Sequence, residues 1–91
     1  MSEGYEKLIN QANIGADFRE FVSSNVGAYL VERAEREEIE ILRKLADVAP
    51  DNTEAIYKLQ LQAKVPKKLM QFISEAIRDG NVAKWSLEQS I

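Results

Sequence analysis

Histidine and cysteine are both absent from the 91 residues. Disulfides, thiol nucleophiles, imidazole bases and every zinc or iron site built on nitrogen or sulfur ligands are excluded with them. Glycine (4) and proline (2) are scarce, too few for a disordered linker, a glycine-rich phosphate loop or a domain of many turns. The longest near-apolar stretch, Val26 to Val31, is about a third of the roughly 20 residues that a membrane-spanning helix requires. The opening Met1-Ser2-Glu3-Gly4-Tyr5-Glu6 carries acid where an export or organelle leader would carry Lys or Arg, so no export signal is read there. What is present is 45% hydrophobic and 30% charged with a net charge of −3. These values predict one small soluble domain, 1–91, that avoids membranes and is intracellular.

Three turn signals divide the chain: Asn13-Ile14-Gly15, Val48-Ala49-Pro50-Asp51-Asn52 and Asp79-Gly80-Asn81. Before the first, Tyr5, Leu8, Ile9 and Ala12 recur at helical steps, which predicts a helix over 1–15 capped by Ser2 and stopped by Gly15. Asp17 and Glu20 form a capping box for a second start, and Phe18, Phe21 and Val22 give the new segment an apolar edge. Ser23-Ser24 can cap a fresh helix at Asn25 or lie within a continuous one. The long arm over 17–48 carries Leu30, Ala34, Ile41, Leu45 and Val48 on one face. The second arm, 51–79, is expected to start at a capping box of Asp51 and Glu54 and to end at Gly80. Along it, Ile56, Leu59, Ala63, Pro66, Met70, Ile73 and Ile77 form a heptad seam. The short connection predicts an antiparallel hairpin of two long helices in an all-α fold, with short helices at each end. Asn81 would cap the last of these, over 81–90, bearing Val82, Trp85 and Leu87. Pro66 lacks an N–H for the carbonyl of Gln62 and its ring crowds that oxygen, so the second arm should kink or divide there.

Charge is distributed unevenly, with a net −4 over 1–50 and +1 over 51–91. Glu32 with Arg36, Arg33 with Glu37 and Glu40 with Lys44 are spaced for four-residue ion pairs along a solvated face. Glu35 and Glu38, one turn apart, form the alternative beginning of a carboxylate site. Without histidine such a site suits only a hard cation such as calcium or magnesium. Glu38 also stands where the apolar seam of Leu30, Ala34, Ile41 and Leu45 calls for a core residue. It is therefore expected at the edge of a contact surface, facing water or a cation from another helix or subunit.

Between Ala55 and Ser74 there is no acid, while Lys58, Lys64, Lys67 and Lys68 stand beside Gln60, Gln62 and Gln71. Such a patch can hold phosphate oxygens or complement an acidic helix. Against nucleic acid stand the acidic pI of about 5.0, the lack of arginine in the patch and the absence of a helix-turn-helix or zinc motif. Ser23, Ser24 and Ser74 have no histidine to activate them, so no catalytic residue is assigned and a non-enzyme is expected, with no cofactor. Trp85 has little apolar company in its segment and is a candidate anchor for a partner. On the second arm Leu61, Val65, Leu69, Phe72 and Ala76 form a further apolar stripe beside the seam. One stripe can face the hairpin partner, and the other needs the terminal helices or a second subunit. A homo-oligomer is expected, a dimer being the commonest closed form.

Phe21-Val22-Ser23-Ser24, Gly27, Tyr29-Leu30, Glu32-Arg33-Ala34, Pro50, Ala55-Ile56, Leu59-Gln60 and Glu75-Ala76-Ile77 together give the stretch 18–83 a resemblance. It is similar to small helical proteins encoded among the head and DNA-packaging genes of tailed bacteriophages. The lysine cluster and Pro66 depart from that family's uninterrupted second helix. The resemblance implies a phage protein of the host cytoplasm or virion, with an assembly or packaging role exercised through phage protein partners. It carries over no site residue. A small effector that inhibits a host factor, or a nucleic-acid-binding regulator using Lys58 to Lys68, is the alternative function.

Overall fold

A computed structural model describes residues 2–90, with side chains for 3–90. The cap expected from the Ser2 side chain lies outside the described residues. The protein is all-helical, with three helices and, among the described residues, no strand: α1 Ser2–Ser23, α2 Asn25–Asp47 and α3 Thr53–Gln89. Two compact units are distinguished, Met1–Ala28 with Phe72–Ile91 and Tyr29–Gln71.

In the first of these, α1 and the C-terminal part of α3 overturn two expected breaks. Gly15 does not stop a helix and Gly80 does not cap one; both lie inside continuous helices with negative φ. Their function is long-range. A Cβ added to Gly15 would stand 2.6 Å from the Gly80 Cα and 3.0 Å from the Ala76 carbonyl oxygen. One added to Gly80 would stand 2.5 Å from the Gly15 Cα and 2.9 Å from the Gln11 carbonyl oxygen. The missing side chains let two helix backbones touch, the close-approach use of glycine rather than its turn use. Asn81 likewise caps nothing: its Oδ1 accepts a hydrogen bond from the Arg19 guanidinium across the same crossing. Without a break at 80 there is no separate C-terminal helix, and without one at 15 the capping box of Asp17 and Glu20 is not used. Among the described residues, Ile73 and Ala83 are the buried hydrophobic residues of this unit.

Ser24 settles the question that the sequence leaves open at the end of α1. Its N–H donates to the carbonyls of Glu20 and Phe21 at 3.1 and 3.0 Å, closing α1. Its carbonyl accepts from Ala28 at 2.9 Å and its Oγ accepts from the Gly27 N–H at 3.0 Å, opening α2. Ser24 is thus an N-cap. Gly27 lies under the bend, where a Cβ would meet the Phe21 carbonyl oxygen at 1.7 Å.

In the second unit, α2 and α3 are joined by a turn in which the Asn52 N–H donates to the Ala49 carbonyl at 2.9 Å, with Pro50 at its second position. Proline pre-sets the backbone angle needed there. The cap of α3 is Asn52 and not the expected Asp51: Asn52 Oδ1 accepts from the Ala55 N–H at 3.2 Å and its carbonyl from Ile56 at 3.1 Å. The heptad seam over Ile56 to Ile77 is buried or half-buried at every position, and so are Ala34, Glu38, Ile41 and Leu45 of α2 and Val48 just beyond its end. Leu30, expected with them, is exposed. Pro66 does not divide α3, which is a single helix through it, and the residue is buried.

Candidate interaction surfaces

The six candidate residues do not form one site. Glu35, Lys64, Lys67 and Lys68 are exposed, Glu38 is half-buried and Trp85 is 62% exposed. Lys64, Lys67 and Lys68 are three and four residues apart on α3, so they share one helical face. Trp85 lies in the other unit, on α3 itself, three residues from the equally exposed Val82.

Expected ion pairs are mostly not made. Arg33 Nε lies 3.3 Å from Glu37 Oε1, but neither Glu32 with Arg36 nor Glu40 with Lys44 is within pairing distance. Exposed pairs of this type gain a few tenths of a kcal/mol at most, too little to fix long side chains against their rotamer entropy. Arg33 also donates from Nη1 to the Tyr29 hydroxyl at 3.2 Å. That bond and then the Glu37 carboxylate raise the guanidinium above its ordinary range. A raised cation keeps its stabilising contribution below its ordinary pKa and loses it only as pH rises through the raised one. Arg33 is accordingly charged across neutrality, and its contribution does not change with pH there. Among the described residues Glu35, Glu38, Lys64, Lys67 and Lys68 make no ion pair with one another or with any other group. No group of three or more metal-ligating carboxylates forms among them either.

Two surface recesses lie in the second unit. One of about 330 Å³ is bounded by Tyr29, Arg33, Arg36, Glu37 and Glu40 of α2 alone, a gap between side chains of one helix. The other, about 180 Å³, is a groove shared by Leu30, Arg33, Ala34 and Glu37 of α2 and Val65, Pro66 and Leu69 of α3. The buried Pro66 and Ala34 form part of its lining, and small side chains at both positions let the groove form. The apolar stripe beside the seam is open to water at Leu61 (45%), Val65 (72%), Leu69 (48%) and Phe72 (59%).

Comparison with protein-family models, curated proteins and solved structures finds no match. The surface itself therefore carries the functional argument.

Its most informative part lies partly outside the residues singled out from the sequence. On α2, Ile39 and Leu42 are 48% and 51% exposed. With Glu35 and Glu38 they occupy positions i, i+3, i+4 and i+7, which place all four on one face. Glu35, Ile39 and Leu42 are turned away from Arg33 and Glu37, which line the groove, while half-buried Glu38 stands at the edge of this face nearest the seam. The signal was available, because Glu35, Ile39 and Leu42 repeat at steps of four and three. It was obscured because the Leu30–Ala34–Ile41–Leu45 series has the same period and accounts for the core.

Proposed function

We propose that the chain is a non-enzymatic helical interaction protein of the phage type, a virion or head-assembly and packaging accessory that acts through protein contacts. One observation carries the reading. Among the described residues only Ala34, Ile73 and Ala83 are buried hydrophobics, no large side chain is fully buried, and fourteen large apolar side chains are exposed. Contiguous exposed apolar surface on a small protein marks a surface that another protein covers. The resemblance over 18–83 supplies the phage setting. In this reading α2 and the first half of α3 form an antiparallel hairpin, bent near Pro66. The groove lined by both helices and the short turn at 49–52 support that arrangement.

No helix among the described residues is long and apolar enough to cross a membrane. Affinity purification of the tagged chain from infected cells tests the proposal. Portal, terminase or capsid components are the expected companions. Recovery of a host enzyme or of nucleic acid instead would replace it with the second reading, an effector or regulator, which Lys64, Lys67 and Lys68 of α3, without ion pairs among the described residues, favour.

A further inference from the structure

Two patches of the unit over 29–71 match in chemistry. On α2, Glu35, Glu38, Ile39 and Leu42 fill positions i, i+3, i+4 and i+7, two carboxylates beside two exposed apolar side chains. On α3, Leu61, Lys64, Val65 and Lys68 fill the same four positions, two ammonium groups beside two exposed apolar side chains. Each patch runs seven residues, about 10 Å at 1.5 Å per residue. None of the four charges has a partner within its own chain among the described residues. Each patch thus lacks both what would neutralise it and what would cover it, and each supplies what the other lacks.

The two cannot meet within one molecule. Val65 lines the groove together with Arg33 and Glu37 of α2. On a helix of 3.6 residues per turn, the Glu35–Leu42 patch faces roughly 170° away from those two residues. Of the α3 patch, Val65 borders the groove while Leu61, Lys64 and Lys68 lie farther round α3, away from the buried seam, so the two patches do not face each other.

We infer that these patches are the two halves of a contact between copies of this chain, with Glu35, Glu38, Ile39 and Leu42 of one molecule seated on Leu61, Lys64, Val65 and Lys68 of the next. The occupant is a second copy because the chain carries both members of a matched pair that it cannot close on itself. This rests on the reading of the chain as an interaction protein and gives it a geometry. Patches on different sides of the molecule cannot both be filled across one two-fold axis, so the contact is head-to-tail: each copy added leaves one patch of each kind free, and growth continues to a ring or filament. The apolar residues supply the attraction, while the charges fix which face meets which.

Purified chain studied by light scattering and sedimentation tests this without any other phage protein, so its outcome is independent of the purification from infected cells. The expected mass exceeds that of two chains, rises with concentration and falls in 1 M salt, where the Debye length is about 3 Å. E35K/E38K and K64E/K68E should each weaken self-association at least about tenfold, the effect of placing like charges against each other. Helical content by circular dichroism should be unchanged. An equimolar mixture of the two variants should regain association, as should the single chain carrying all four changes. A stably monomeric wild-type chain, or reversed-charge variants that assemble unchanged, would overturn the inference. Failure of the mixture to recover would do the same. A mass that stops at two chains would also reject the head-to-tail contact, pointing instead to a symmetric one across the Leu30–Val65–Leu69 groove.

Discussion

At Gly15 and Gly80 a single methyl group would bring two opposing effects. Alanine in a helix interior is favoured over glycine by about 1 kcal/mol. The added Cβ would, however, sit 2.6 Å from backbone at position 15 and 2.5 Å at position 80. Backbone cannot rotate aside as a side chain does, so the helices must separate, and overpacking of this kind costs about 1–3 kcal/mol. The clash wins. Gly15→Ala and Gly80→Ala should each lower the free energy of unfolding by roughly 1–2 kcal/mol in urea titrations. Gly4→Ala, with nothing within 4 Å of its added Cβ, should leave stability unchanged or raise it by up to about 1 kcal/mol. If Gly15→Ala behaved like Gly4→Ala, the helices would not cross at these residues. Ser24 is the other residue with a local task. Ser24→Ala removes the acceptor for the Gly27 N–H and should cost about 1 kcal/mol in the same titration. Replacement by Asn should largely preserve the cap.

In α3, Pro66 sets packing against propensity. Alanine there would restore a donor for the Gln62 carbonyl and remove the ring clash, worth about 3 kcal/mol in a helix interior. It would also delete two buried ring methylenes at about 0.8 kcal/mol each and leave a small void in the groove beside Ala34. Pro66→Ala should therefore stabilise the protein by about 1 kcal/mol, seen as a higher urea midpoint with an unchanged slope. A loss of stability would mean that the ring's packing outweighs the backbone strain. The seam in which Pro66 stands was fully legible, because Ile56 to Ile77 repeat at three- and four-residue steps and one buried face enforces that repeat. Element ends were less legible. Glycine and asparagine read locally as punctuation, yet Gly15, Gly80 and Asn81 answer to residues more than 60 positions away, and a single sequence does not display such pairings. The cap of α3 shifted by one residue for a related reason: Asp51 and Asn52 are both competent caps, and the Pro50 turn decides between them. The candidate surfaces were legible as residue types but not as a site. Glu35, Glu38, Lys64 and Lys68 stand out by their charge, whereas the exposed Ile39 and Leu42 that complete one patch are hidden under the period of the core.

For the molecule as a whole, the pattern of burial leaves little apolar surface covered within one chain. Small domains are marginal because they bury too small a fraction of their chain. Here the buried hydrophobic residues among those described are two alanines and one isoleucine. Net stability is a small difference between large terms, so leaving Leu61, Val65, Ile39 and Leu42 in water withholds stabilisation of about the same size as that difference. In the proposed contact a second copy covers these side chains, and binding that is specific to the folded state raises stability by mass action. The thermal unfolding midpoint should accordingly rise with protein concentration, by several degrees over a hundredfold range for a domain of this size. The reversed-charge variant K64E/K68E should lose most of that dependence while keeping its helical signal at low temperature. Calorimetry or circular dichroism at a series of concentrations reads both. A midpoint constant across the range would show that one chain folds unaided, and the exposed stripe would then belong wholly to a different protein.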